Sequence, residues 1–181
     1  MKKQAAAALL AMLCSVAAKA DQTYWFKYKG FNDSAGRFNA DATVAGYFTA
    51  NDADRDGVIR LDELNSLVTN GYSFTGCNPE NPVVHCGTSA FTYVIGGALS
   101  FEGGYGVSDE MYVQSTTVST GDFYRSYSDN AWGGAGYYHY FTWTPQTQLT
   151  ISTPVPEPAT YGMLATGLLA VGAVARRRRK N

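Results

Sequence analysis

The sequence predicts a mainly β fold, either an antiparallel β-sandwich or a partly open barrel, with one short helix and a C-terminal transmembrane helix. Aromatic residues make up 14% of the 181 residues, and the chain contains 19 glycines. Short runs of β-branched and aromatic residues recur between Gly, Asn, Asp and Pro, which is typical of strands joined by turns. Apolar runs at the two ends of the chain differ from this pattern and are interpreted separately.

Eight strands are predicted in residues 21–153, a stretch suited to one domain rather than two. Their spacing favours an antiparallel sandwich or a partly closed barrel. The predicted strands are Tyr24–Phe31, Phe38–Thr49, Tyr72–Thr75, Ala90–Phe101, Glu110–Val118, Phe123–Tyr127, Tyr137–Trp143 and Gln148–Ser152.

The first twenty residues have the three parts of a secretory signal peptide. Two lysines precede the apolar run Ala5–Val16, and the small residues Ala18 and Ala20 follow it. This order predicts cleavage after Ala20 and export of the remaining chain. An uncleaved membrane anchor is the alternative interpretation.

Charge is strongly segregated along the chain. All fifteen acidic side chains lie in residues 21–158, together with only six basic ones, which gives that stretch a net charge of −9. Nucleic-acid binding requires a concentration of positive charge, so nucleic acid is excluded as a partner.

The C-terminal segment, residues 154–181, combines a proline-rich box, an apolar run and a basic end. Residues 159–175 are uncharged and would form a transmembrane helix of about 25 Å at about 1.5 Å per residue, slightly shorter than a hydrocarbon core of about 30 Å. The cations of residues 176–180 should remain in the cytoplasm, which places the acidic domain outside. The box consists of Val155, Pro156, Glu157 and Pro158.

This tail resembles the PEP-CTERM sorting signal. The resemblance implies a substrate of an exosortase in a Gram-negative bacterium that produces exopolysaccharide. Secretion machinery would export the chain, the inner membrane would hold it transiently, and processing near Pro156–Pro158 would pass it to the cell surface or the extracellular matrix. A plain single-pass membrane protein is the alternative.

Two cysteines, Cys77 and Cys86, remain after removal of the signal peptide. In an exported protein, two cysteines this close most simply form a disulfide. A metal site that also uses His85 is the alternative, but it lacks a visible fourth ligand.

Residues 52–63 resemble an EF-hand calcium loop over its twelve positions. Gly57 stands where such a loop turns sharply, and Ile59 is the expected apolar contact with the core. Four carboxylates this close repel one another without a cation, so Ca²⁺ is the predicted cofactor. The predicted ligands are Asp52, Asp54, Asp56, the carbonyl of Val58, and Glu63.

The loop departs from the EF-hand pattern at its ninth position, where Arg60 brings positive charge near the ion. Residues before the loop favour a strand. The spacing of Leu61, Leu64, Leu67 and Val68 predicts a short exit helix after it. We therefore expect strand, calcium loop and helix, without a paired hand to act as a sensor. An acidic turn that binds no specific ion is the alternative.

Enzymatic signals are weak. Neither His85 nor His139 lies in a motif with a nucleophile or a zinc pair, and Glu102 and Glu110 would form a glycosidase pair only if folding brought them together. A second function, sugar binding, would use exposed aromatic side chains on a sheet. The candidates are Tyr105, Tyr112, Tyr124, Tyr127, Trp132 and Tyr138.

The function predicted from these features is that of an exported, non-enzymatic protein of the cell surface or extracellular matrix, stabilised by calcium and a disulfide. A polysaccharide-binding module, with exopolysaccharide as its partner, is the second prediction. An exopolysaccharide hydrolase is the third.

Overall fold

A computed structural model describes residues 21–130, 136–153, 167–168 and 171. The predicted signal peptide, the box at 154–158, the basic tail and all but three residues of the predicted transmembrane helix lie outside the described residues. Within the described part of the chain, no helix has the length and apolarity needed to cross a membrane.

The described residues form one continuous antiparallel sheet, which confirms the predicted mainly β antiparallel class. It is open, and its pairing order is β3-β6-β7-β8-β9-β10-β1-β2-β4-β5, with β11 paired to β1. The strands are β1 (Gln22–Asn32), β2 (Phe38–Ala50), β3 (Val58–Arg60), β4 (Leu64–Thr69), β5 (Tyr72–Ser73), β6 (Val84–Val94), β7 (Leu99–Ser108), β8 (Tyr112–Ser119), β9 (Phe123–Asn130), β10 (Tyr137–Thr142) and β11 (Gln148–Ser152).

The core is made of aromatic rings from strands that are not hydrogen-bonded neighbours. Phe48 on β2 lies 5.0 Å from Phe91 on β6 between ring centroids, and Phe26 on β1 lies 5.4 Å from Phe101 on β7. The sheet therefore curls until β1 and β2 face β6 and β7. Alternation along β1 buries Tyr24, Phe26 and Tyr28 and turns the intervening side chains outward, as a strand with one buried face requires.

The predicted strand Ala90–Phe101 is wrong, because a turn divides it between β6 and β7. Gly97 donates its amide proton to the carbonyl of Val94 at 2.8 Å, and Gly96 has a φ of 78°. Only glycine adopts this left-handed conformation without steric cost, so the glycines mark a hairpin turn.

The predicted exit helix is also wrong. Leu61–Glu63 form a single 3₁₀ turn, and Leu64–Thr69 then form β4, paired with β2. Along β4, Leu67 and Thr69 are buried while Val68 is only partly so, which is the two-residue period of a strand. Hydrogen bonds to β2 and burial against the core therefore outweigh the leucine spacing, which fits either structure.

Cys77 and Cys86 form the predicted disulfide, with Cα atoms 5.7 Å apart. Cys86 lies on β6, opposite Tyr105 of β7. The bond therefore fixes the irregular segment before β6 to the sheet.

Candidate metal site

The acidic loop connects two strands that are themselves paired. Ala50 at the end of β2 lies opposite Leu64 at the start of β4, and the Asn51 amide donates to the Glu63 carbonyl at 3.2 Å. The twelve residues of the loop thus leave β2, pair with β6 through β3, and return to nearly the same point. This closure is what brings the first and last carboxylates of residues 52–63 together.

The middle of the loop is anchored to the opposite side of the fold. Ile59 is fully buried and pairs with Tyr93 of β6, and the Ile95 amide donates to the Gly57 carbonyl at 2.9 Å. Gly57 has a φ of 81°, so the turn occurs at the sixth position, where the EF-hand pattern places it. The loop is therefore held at both its base and its middle.

Three of the predicted ligand residues converge. Asp52, Asp54 and Glu63 each offer a carboxylate oxygen within 4.8 Å of the others. The Oδ1 atom of Asp52 is buried and has no hydrogen-bond partner among the described residues. A buried carboxylate oxygen without a partner is costly, and a bound cation would remove that cost.

Backbone amides orient the closing glutamate. Glu63 Oε1 accepts the Ala53 amide proton at 2.6 Å, and Oε2 accepts that of Arg60 at 3.2 Å. The side chain therefore reaches back across the loop towards its beginning. Such an orientation is the one required of a ligand at the twelfth position.

The two remaining predicted ligands contact Arg60 instead of joining the cluster. The Arg60 guanidinium donates to Asp56 Oδ2 at 2.7 Å and to the Val58 carbonyl at 3.3 Å, and lies 3.7 Å from Asp54 Oδ2. Its hydrogen bond, together with one from the Val58 amide, lowers the pKa of Asp56 below its ordinary value. Arg60 thus acts as an internal cation on one side of the loop.

The donor set is suited to a hard cation. All the side-chain donors are carboxylates, and calcium takes oxygen ligands at about 2.3 to 2.6 Å. Two oxygens on opposite sides of such an ion are about 5 Å apart, so a separation of up to 4.8 Å is compatible with a shared ion. The triad could therefore hold calcium without a large rearrangement.

The glycosidase pair weighed from the sequence is not assembled. Glu102 lies on β7 opposite Ser119, whereas Glu110 lies in the turn that follows Ser108. Six residues of extended strand separate Glu102 from Ser108, which is about 20 Å at about 3.3 Å per residue. Glycosidase carboxylates lie about 5 to 10 Å apart, so these two cannot act together.

The two histidines lie apart from any catalytic arrangement in the described residues. His85 is exposed on β6, within the segment closed by the disulfide. His139 is exposed on β10, and its ring packs 5.5 Å from that of Tyr137. Both positions are those of ordinary strand residues.

The aromatic candidates for sugar binding differ in their exposure. Tyr124 is buried in the core, Tyr138 is 61% exposed, and Trp132 lies outside the described residues. The remaining three are partly buried. Sequence reasoning missed Trp25, which is 52% exposed on β1. The alternation of Trp25 and Lys27 with buried aromatics carried that signal.

Comparison with known proteins gives one match. Residues 154–180 match the PEP-CTERM protein-sorting motif. This motif implies an exported protein that passes the membrane and has an exosortase as its processing partner. The chain matches no curated protein and no solved structure.

Proposed function

We propose that this protein is a non-enzymatic component of the cell surface or extracellular matrix of a Gram-negative bacterium that produces exopolysaccharide. An exosortase removes the tail near Pro156–Pro158. One calcium ion, bound by residues 52–63, stabilises the exported β domain. The sorting motif supports the export route. The convergence of Asp52, Asp54 and Glu63 supports the ion, as does the buried Asp52 oxygen, which has no hydrogen-bond partner in the described part of the chain.

The export route makes a weak calcium site useful. Extracellular calcium-binding modules have dissociation constants of about 10⁻⁴ to 10⁻³ M, because the ion is abundant outside the cell. Arg60 contacts Asp54 and Asp56, so calcium must displace it or bind beside it. We therefore place this site in the weak range, where binding stabilises the protein outside the cell but not inside it.

The positions of the catalytic candidates support a structural role. Glu102 and Glu110 are too far apart, and neither histidine lies in a catalytic arrangement in the described residues. The described structure offers instead an 11-stranded sheet, a disulfide and a candidate ion site. These features suit a protein that must persist outside the cell.

The test is the thermal midpoint of the purified protein with a chelator and with millimolar calcium. Wild type should melt several degrees higher with calcium, because ligand binding to the folded state stabilises it. Asp52→Asn and Glu63→Gln should abolish that increase. Asp62→Asn is the matched control, since Asp62 lies in the same turn but is exposed and is not a predicted ligand. Identical midpoints with and without calcium in wild type would refute the proposed ion.

Arg60→Gln provides the opposite test at the same site. Removal of the guanidinium frees the oxygens of Asp54 and Asp56, so calcium should bind on the order of three- to tenfold more tightly. Isothermal titration calorimetry would measure the change. Weaker binding in this variant would mean that Arg60 supports the site instead of competing for it.

A further inference from the structure

The outer face of β1 and β2 carries an aromatic pair in which Trp25 is exposed and Tyr47 is partly buried. Trp25 is 52% exposed, and Tyr47 lies directly opposite it on β2, with ring centroids 4.9 Å apart and planes inclined at 47°. Their neighbours Tyr24, Phe26 and Phe48 point into the core. A large exposed aromatic costs free energy, so an exposed Trp25 packed beside a partly buried Tyr47 on an otherwise ordinary sheet face suggests a binding surface.

The pair borders a shallow groove of about 620 Å³. Ala45 contributes only a methyl group, which leaves space between the larger side chains. The polar side chains that line the groove are Lys27, Asn70, Thr150 and Ser152, from the strands on either side and the turn after β4. We call this surface the Trp25 groove.

Lys27 differs from the other lysine on its strand. Lys29 forms an ion pair with Asp41 at 3.3 Å, whereas Lys27 makes no ion pair with any described residue. Asn70 is held at the groove edge because its Oδ1 atom accepts the Ala45 amide proton at 2.9 Å. The groove thus combines a fixed amide and an unpaired ammonium with an apolar platform.

This combination fits one class of ligand. A pyranose ring has an apolar face of C–H groups, which packs on an aromatic ring, and a rim of hydroxyls, which exchange hydrogen bonds with ammonium, amide and hydroxyl groups. We propose that the Trp25 groove binds a neutral polysaccharide, with sugar rings stacked on Trp25 and Tyr47 and their hydroxyls hydrogen-bonded to Lys27 and Asn70.

Charge selects this occupant over others. Residues 21–158 carry a net charge of −9, so the domain repels a second copy of itself, an anionic polymer and an anionic membrane. A neutral glycan carries no net charge, so the negative charge of the domain does not repel it. The proposal goes beyond the structural role argued above, and it does not require calcium, because the groove and residues 52–63 share no side chain.

The experiment is native affinity electrophoresis of the purified protein in gels that contain soluble β-glucan, galactomannan or xylan. Wild type should be retarded by at least one of them. Trp25→Ala should weaken binding by about tenfold or more, as expected for a central aromatic contact, and Lys27→Gln by a smaller factor. Phe38→Ala is the matched control, because Phe38 is 46% exposed, against 52% for Trp25, and does not line the groove.

Three binding results, and one result on oligomeric state, would overturn the proposal. The binding results are unretarded migration of wild type in all three gels, retention of binding by both Trp25→Ala and Lys27→Gln, and stronger binding to alginate than to the neutral polymers. A Trp25-dependent dimer in sedimentation velocity would assign the groove to self-association instead. Asp52→Asn should still bind the polymer, so failure of the calcium proposal leaves this one standing. Lys27→Gln serves if Trp25→Ala does not fold.

Discussion

The aromatic core and the acidic loop are adjacent in the chain, but different interactions dominate in each: ring packing in the core and charge interactions in the loop. Phe48 contacts the rings of Tyr24, Phe91 and Tyr93 at 4.8 to 5.3 Å, and all four are buried. Only two residues after buried Ala50, the chain enters residues 52–63, where carboxylates cluster with Arg60 as their internal cation.

The two regions differ in whether their contribution to stability depends on ions in solution. Ring packing and burial of apolar surface need no ion, so the contribution of the core to the free energy of unfolding should be the same with calcium or a chelator. Clustered carboxylates repel one another, so the loop should respond to added cation. Ile59 lies in both regions, since it belongs to the loop and is fully buried. Variants in each region can test whether this division holds.

The largest effect is expected from Phe48→Ala. Removal of a buried ring that contacts three others should lower the free energy of unfolding by about 3 to 5 kcal/mol. Urea denaturation should give the same loss with calcium and with a chelator. Phe38→Ala is the control, because Phe38 is 46% exposed, and it should change stability by about 0.5 kcal/mol or less. If the loss of stability in Phe48→Ala depended on calcium, the core and the acidic loop would not contribute independently.

A middle effect is expected from removal of the disulfide. The Cys77→Ser, Cys86→Ser double variant should lose about 2 to 3 kcal/mol, because the bond closes a short loop and restricts the unfolded chain. About 20 Å of β6 separates Cys86 from Thr92, where β3 and the acidic loop attach, so this loss and the effect of a chelator should add. Clear non-additivity in urea denaturation would show that the disulfide-bonded segment and the acidic loop are coupled.

Sequence reasoning predicted the strands best where alternation is strong. The predicted Phe38–Thr49 and Gln148–Ser152 nearly coincide with β2 and β11. It failed at Leu64–Thr69, because leucines at helical spacing also satisfy a strand once β2 is available as a partner. The pairing of β4 with β2 forms only when the chain folds back on itself, so the local sequence pattern cannot predict it.

The candidate site was likewise predicted only in part from the sequence. The EF-hand spacing selected Asp52, Asp54 and Glu63 among the predicted ligands, and the structure brings these three together because β2 and β4, at the two ends of the loop, are paired. The pairing of Arg60 with Asp56 depends on side-chain direction, which spacing does not give. Trp25 was missed although the sequence carried a signal for it, since Lys27 and Lys29 lie on the same side of the alternating strand and mark that side as the solvent face.

The smallest effect, and the sharpest test of the core itself, comes from Tyr28. Its hydroxyl donates to the Leu99 carbonyl at 2.5 Å, and burial raises the pKa of the phenol well above its ordinary value. Tyr28→Phe removes this hydrogen bond but keeps the ring. It should cost about 1 kcal/mol at neutral pH, as measured by urea denaturation.

The same variant should change how stability depends on pH. Tyr28 loses its proton near pH 10 in the unfolded chain but only at higher pH in the folded one, so its contribution is complete below about pH 10 and falls as pH rises beyond it. Wild type should therefore lose stability more steeply between about pH 10 and 12 than Tyr28→Phe does. Tyr138→Phe, which alters an exposed ring, should follow wild type. Equal slopes for wild type and Tyr28→Phe would mean that water reaches the Tyr28 hydroxyl, and the core would then share the sensitivity to solution conditions assigned to the loop.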